Sequence, residues 1–124
     1  MNRRYEQISF GFNANVGAID AIQRAFASSA NNTANALTEN YNPSRVVFHP
    51  SESSGVKVDI KQRPKSDEVA AREDDASSEA DHPSETDLAE EATNQIVYSA
   101  TYKANLNVIK TESQIAGALL DTIG

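Results

Sequence analysis

From Asn13 to Leu37, apolar or small residues fall at Val16, Ile19, Ile22, Phe26, Ala30, Thr33 and Leu37, in steps of 3, 3, 4, 4, 3 and 4. That spacing follows one face of a helix rather than a strand, and no proline interrupts it. The lower half, Ser28 to Ala36, is small and polar. It allows close approach of a second helix and offers side-chain amides for hydrogen bonds, but it is weak as an isolated helix and needs a partner. The helix is expected to end near Asn40, because asparagine tolerates the left-handed conformation and Pro43 follows. Arg45-Val46-Val47-Phe48 and Val56-Lys57-Val58-Asp59-Ile60 read as short strands, separated by the polar run His49 to Gly55. The pair predicts a small β-hairpin. A lone hairpin is marginal in water, so it should lie against a helix or another subunit.

The longest pattern is the last. Leu88, Ala92, Gln95, Ser99, Tyr102, Leu106, Ile109, Ser113, Ala116, Leu120 and Ile123 alternate steps of 4 and 3, a heptad seam over five repeats. Thr86 is the expected N-cap, with Asp87, Glu90 and Glu91 placing negative charge at the positive end of the helix dipole. At a rise of about 1.5 Å per residue this helix is roughly 55 Å long. A second apolar stripe runs beside the first through Val97, Ala104, Val108, Ile115 and Leu119. Two apolar faces on one helix imply more than one packing partner. The N-terminal helix satisfies one; the other must come from further subunits.

Composition sharpens this picture. At 124 residues, with 39% hydrophobic and 6% aromatic side chains and no tryptophan, one domain is expected, with a thin core. The net charge of -7 is concentrated between Lys65 and Asp87, where nine acids face two bases, while the rest of the chain carries nine of each. Residues 64–84 therefore read as a flexible acidic linker that cannot bury enough apolar surface to offset its ordering entropy. Acidity of this kind argues against nucleic-acid binding. No segment has the length and hydrophobicity of a membrane span, so no membrane insertion is expected. Met1 to Phe12 carries Arg3 and Arg4 but no apolar stretch of secretory-signal length, so any export is expected to proceed without signal cleavage.

Candidate chemistry is sparse. The absence of cysteine removes disulfides, thiolate metal sites and cysteine nucleophiles. His49 and His82 each open a His-Pro-Ser-Glu tetrapeptide, but without a third ligand at recurring spacing they read as turn residues rather than a metal site. The acidic run lacks the spacing of a calcium loop, and no phosphate-binding glycine loop or nucleophile-base arrangement occurs. The chain reads as non-enzymatic and cofactor-free.

Two blocks of sequence resemble a known family. Asn32-Thr33-Ala34-Asn35-Ala36-Leu37-Thr38-Glu39-Asn40-Tyr41, followed by Arg45-Val46-Val47-Phe48, is similar to the N-terminal signature of flagellar rod and hook proteins. In that signature an Asn-x-x-Asn helix end leads into a Thr-Pro-Gly-Tyr turn. Here Glu39 and Asn40 replace the Pro and Gly, and asparagine keeps the positive-φ option open. Asp87-Leu88-Ala89-Glu90-Glu91, Asn94-Gln95-Ile96, Tyr102-Lys103-Ala104-Asn105 and Val108-Ile109-Lys110-Thr111 resemble the family's C-terminal helix, with Ala100 where many members carry Arg. The two blocks, Asn32 to Phe48 and Asp87 to Thr111, span about a third of the chain.

The resemblance implies a mainly α fold, with long N- and C-terminal helices paired as a coiled coil and a small β-hairpin and the acidic loop between them. Residues 1–42 and 85–124 would form the helical rod core domain, 43–63 the hairpin insertion and 64–84 the linker. It implies a structural subunit of the bacterial flagellar basal-body rod, exported by the flagellar type III apparatus and assembled in the periplasm with itself and other axial rod and hook proteins. The length is similar to that of proximal-rod subunits, whereas Asp87 to Glu91 looks more like distal-rod members. Helix-pair and subunit packing is expected at Val16, Ile19, Ile22, Phe26, Asn32, Asn35, Leu88, Ile96, Tyr102, Asn105, Leu106, Ile109 and Leu120, with Phe26, Tyr102, Leu106 and Ile109 central. The competing function is a soluble helical adaptor or export chaperone that offers its C-terminal helix to a flagellar or type III partner.

Overall fold

A computed structural model describes residues 2–52, 55–65 and 81–123. It is mainly helical, with helix α1 at Asn2–Ala34, strands β1 at Ser44–Ser51 and β2 at Gly55–Gln62, and helix α2 at Leu88–Ile123. The expectation for the acidic run falls largely on residues 66–80, outside the described residues.

The two helices, of 33 and 36 residues, are about 50 and 54 Å long. They pack antiparallel. Asn15 meets Glu112 near the middle of α1, Gln23 meets Tyr102 about two turns further on, and Thr33 meets Gln95 near its end. α1 is longer at its start than the apolar spacing predicts, and it ends at Ala34 rather than near Asn40. The backbone tightens there: Asn35 N–H is shared between the carbonyls of Asn31 and Asn32, and Ala36 N–H donates to the Thr33 carbonyl. Asn40 does supply the left-handed residue, at φ 59°, but in the turn that follows the helix.

Asp87, not Thr86, caps α2. Its Oδ1 accepts from the backbone N–H of Ala89 at 2.9 Å and Glu90 at 3.1 Å, satisfying two donors that helix geometry leaves orphaned. Thr86 is held instead by Ser84, whose Oγ accepts from Thr86 N–H and donates to Thr86 Oγ1.

The strands form one antiparallel ribbon in which Ser44 faces Gln62 and Ser51 faces Gly55. Both are longer than the four- and five-residue runs read from the sequence: Ser44, His49, Pro50 and Ser51 join β1, and Gly55, Lys61 and Gln62 join β2. A two-stranded ribbon consists of edges, where a proline is tolerated. The ribbon lies along α1, from Ser44 at Asn32 to Gly55 at Ala14. Eight strand residues span about 26 Å, and the helical rise from Ala14 to Asn32 is ~27 Å, so the lengths match. Gly55 has φ +70°, and a Cβ there would stand 3.1 Å from the Ala14 Cβ. Glycine suits the left-handed conformation, and a larger residue would also have to displace Ala14 slightly.

Among the described residues the buried apolar side chains are Ala21, Ile22, Ala25, Pro43 and Val58. Two of them are alanines, and full burial of a Val or Ile contributes only about 1.5–3 kcal/mol. Ser28, Ser29, Asn32, His82 and Glu91 are equally buried. Polar satisfaction therefore weighs as much as hydrophobic burial in holding this fold.

Candidate functional site

The small polar half of α1 meets the start of α2 and the start of β1 in one junction, with Asn32 at its centre and 1% exposed. Its amide nitrogen donates to the Ser44 carbonyl at 2.8 Å and to Glu91 Oε1 at 2.7 Å. Its carbonyl accepts from Ser44 N–H at 2.9 Å and lies 3.0 Å from the Tyr41 hydroxyl, whose single proton it shares with Asn31 Oδ1 at 2.8 Å. Both donors and both acceptors are used, the full capacity of an asparagine. Ser29 adds a bond from its Oγ to the Glu91 carbonyl at 3.3 Å. Arg63, just past β2, pairs with Glu90 at 2.7 Å, and the Tyr98 ring meets Phe48 edge-on with centroids 6.1 Å apart. One residue of α1 thereby fixes the positions of α2 and the hairpin together.

The electrostatics follow from two acids at this junction. Burial and then the charges of Glu91 and Glu90 push the Tyr98 hydroxyl above the ordinary tyrosine range. Burial and Glu91 do the same to Tyr41. The hydrogen bond from Arg63 to Glu90, with the attraction of the neighbouring carboxylates, raises the guanidinium pKa against the opposing effect of burial.

A second polar contact closes the loop that leaves α1. Asn40 N–H donates to the His82 carbonyl at 2.8 Å, Asn40 Nδ2 donates to Asp81 Oδ1 at 2.9 Å, and His82 N–H donates to Asn40 Oδ1 at 3.2 Å. Glu85 N–H donates to the Tyr41 carbonyl at 3.3 Å. His82, read from sequence as a turn residue, is buried here, so the last residues of the 64–84 segment are clasped to the turn after α1. His49 lies on the hairpin surface, 3.3 Å from Asp59. Among the described residues no group of three or more metal-ligating side chains converges.

The structure divides the expected packing residues. Ile22 and Asn32 are buried, and Ile19, Asn35, Tyr102, Asn105 and Ile109 are half-buried. Phe26 and Tyr102 share a shallow groove of about 240 Å³ with Ile22 and Tyr98. Val16, Phe26 and Leu106 remain more than a third exposed, Leu88 is 51% exposed, and Ile96 and Leu120 are each 71% exposed. Leu106 is thus not central to the intramolecular pair. The covered face of α2 runs instead through Glu91, Gln95, Tyr98, Tyr102, Asn105, Ile109, Glu112 and Ala116. It is a 4-3 seam rotated from the apolar one, because the partner surface on α1 is small and polar and pairs with hydrogen-bonding side chains. Sequence reasoning missed Glu91, Tyr98 and Glu112 on this face. The signal was present in their regular spacing, which a search for apolar residues passes over.

The rotation leaves Leu88, Ile96, Val97, Val108, Ile115, Leu119 and Leu120 exposed on α2. No described helix is long and apolar enough to cross a membrane. A scan of protein-family models and a search of curated proteins give no match to the chain.

Proposed function

We propose that the chain is a non-enzymatic structural subunit of the bacterial flagellar basal-body rod that polymerises through its two long helices. The observation that carries this reading is the exposed apolar side of α2. Val97, Val108, Ile115 and Leu119 are each 45–52% exposed although they form a regular stripe. Exposed stripes of this length mark interaction surfaces on otherwise polar helices. The resemblance of the Asn32–Tyr41 and Asp87–Thr111 blocks to rod and hook proteins supplies the assembly. In this reading the helices pair as a coiled coil within a tube, the acidic run serves as a flexible solvated spacer, and neighbouring copies or other axial proteins cover the outer stripe. Export proceeds through the flagellar type III apparatus to the periplasm, and the function is mechanical.

Leu106→Asp tests the reading, because Leu106 lies outside the covered seam of α2. The variant is expected to fold with helix content unchanged by circular dichroism, yet to fail to enter basal bodies and to abolish swimming. Normal motility in that variant would overturn the proposal. An adaptor or export chaperone would use the same stripe substoichiometrically. Quantifying the protein in purified basal bodies separates the two, since a rod subunit is a stoichiometric component.

A further inference from the structure

Beside Asn32 the junction forms a partly open cavity of about 220 Å³, lined among others by Ser28, Glu90, Glu91, Asn94, Tyr98 and Arg63. That is space for more than one or two waters, each of which takes ~30 Å³ in the liquid. Two of its walls are left incomplete by the described residues. Ser28, only 8% exposed, has an Oγ with no hydrogen-bond partner. Among the described residues Glu91, 6% exposed, receives one side-chain hydrogen bond, from Asn32, and no direct ion pair; the Arg63 guanidinium attracts it but is engaged by Glu90. A carboxylate so deeply buried is costly unless a cation and further donors meet it. Arg63 directs its guanidinium to Glu90 at 2.7 Å, and Arg45 sits exposed at the rim.

We propose that this cavity receives the guanidinium of an arginine side chain presented by a partner protein. The inference is independent of whether the partner belongs to a flagellar rod. A guanidinium has five donors and no acceptor. The residues that line the cavity offer it acceptor groups in Glu91, Ser28 and Asn94, while the charge of Glu90 is already met by Arg63. Of the four charged side chains that line it, Arg63 and Glu90 pair with each other and Arg45 is exposed, so the buried charge left to be met is the Glu91 carboxylate, which an anion would not meet. The planar fork also suits bidentate contact with a carboxylate better than a compact ammonium does.

The test is a titration of the full chain, followed by backbone amide resonances, with ethylguanidinium, with its neutral analogue ethylurea, and with the capped peptide acetyl-Gly-Arg-Gly-amide. Ethylguanidinium and the peptide are expected to shift Ser28, Glu91 and Asn94. Glu91→Gln should weaken both by about tenfold or more, the loss expected for a charge-assisted pair. Ser28→Ala, which removes only the unpartnered hydroxyl, is expected to fold normally and weaken binding about threefold; it keeps the proposal testable if Glu91→Gln unfolds. Equal binding of ethylurea and ethylguanidinium, unchanged affinity in both variants, or no shift with either cation would overturn the proposal and leave a water-filled cavity. Binding of free ethylguanidinium without the peptide would overturn the assignment to a protein partner in favour of a small cation.

Discussion

At one end of the helix pair, around Asn32 and Glu91, helix, hairpin and turn are tied by directional hydrogen bonds. At the other, α2 from Val108 to Leu120 turns valine, isoleucine and leucine side chains outward. The first region holds its geometry with groups this chain supplies. The second offers surface that this chain does not cover. Directional polar contacts specify a single arrangement, whereas an apolar stripe is non-directional and accepts whichever complementary surface covers it. The contrast assigns folding of the protomer to the polar junction and association to the apolar stripe, which begins beside it at Val97 and dominates the far end.

The contrast can be broken most sharply at Asn32. Asn32→Ala removes four hydrogen bonds and leaves Glu91 without its amide donor, so a loss of about 3 kcal/mol is expected in denaturant unfolding. A loss under ~1 kcal/mol would mean that the junction does not hold the fold. Next comes the clasp. Asn40→Ala combines a strained left-handed backbone with lost hydrogen bonds and is expected to cost about 2 kcal/mol. Asn40→Gly should recover roughly half of that, because the backbone term vanishes; equal losses would assign the whole effect to the side chain. Asp87→Ala, which removes the cap of α2, should cost about 1 kcal/mol, measured as a lowered thermal midpoint. At the far end the double change Leu119→Gln and Leu120→Gln should alter protomer stability by less than ~0.5 kcal/mol. Its effect should appear instead as reduced self-association in sedimentation. A large destabilisation there would erase the distinction between the two ends.

The sequence was most legible where local chemistry decides the outcome. Asn40 was readable as a left-handed residue because few others accept that backbone, and Val56 to Ile60 as a strand because of its alternation. The second apolar stripe was readable because nothing inside a two-helix chain can cover both faces. Other features depend on which surface a helix meets. Glu91 sits in an acidic first turn and reads as a partner for the helix dipole. Its burial becomes apparent only once Asn32, 59 residues earlier, is placed against it. His82 reads as part of a solvated acidic run until the Asn40 amide closes over its backbone. The seam was found by its apolar members, yet the face that pairs within the chain is the more polar one.

The clasp between Asn40 and His82 has an evolutionary and engineering consequence. The backbone leaves the helix pair at Asn40–Tyr41 and rejoins it at His82–Glu85 through adjoining hydrogen bonds, and Arg63 at the end of the hairpin returns to Pro43, so the segment that follows the hairpin starts and ends at one closed base. Its length can change without altering the distance that the helices must bridge. For a flexible chain each doubling of a closed loop costs only about 0.6 kcal/mol. The stretch between Lys65 and Asp81 is therefore a port at which a whole module could be added or removed, by natural recombination or by design, while the shaft beneath keeps its register.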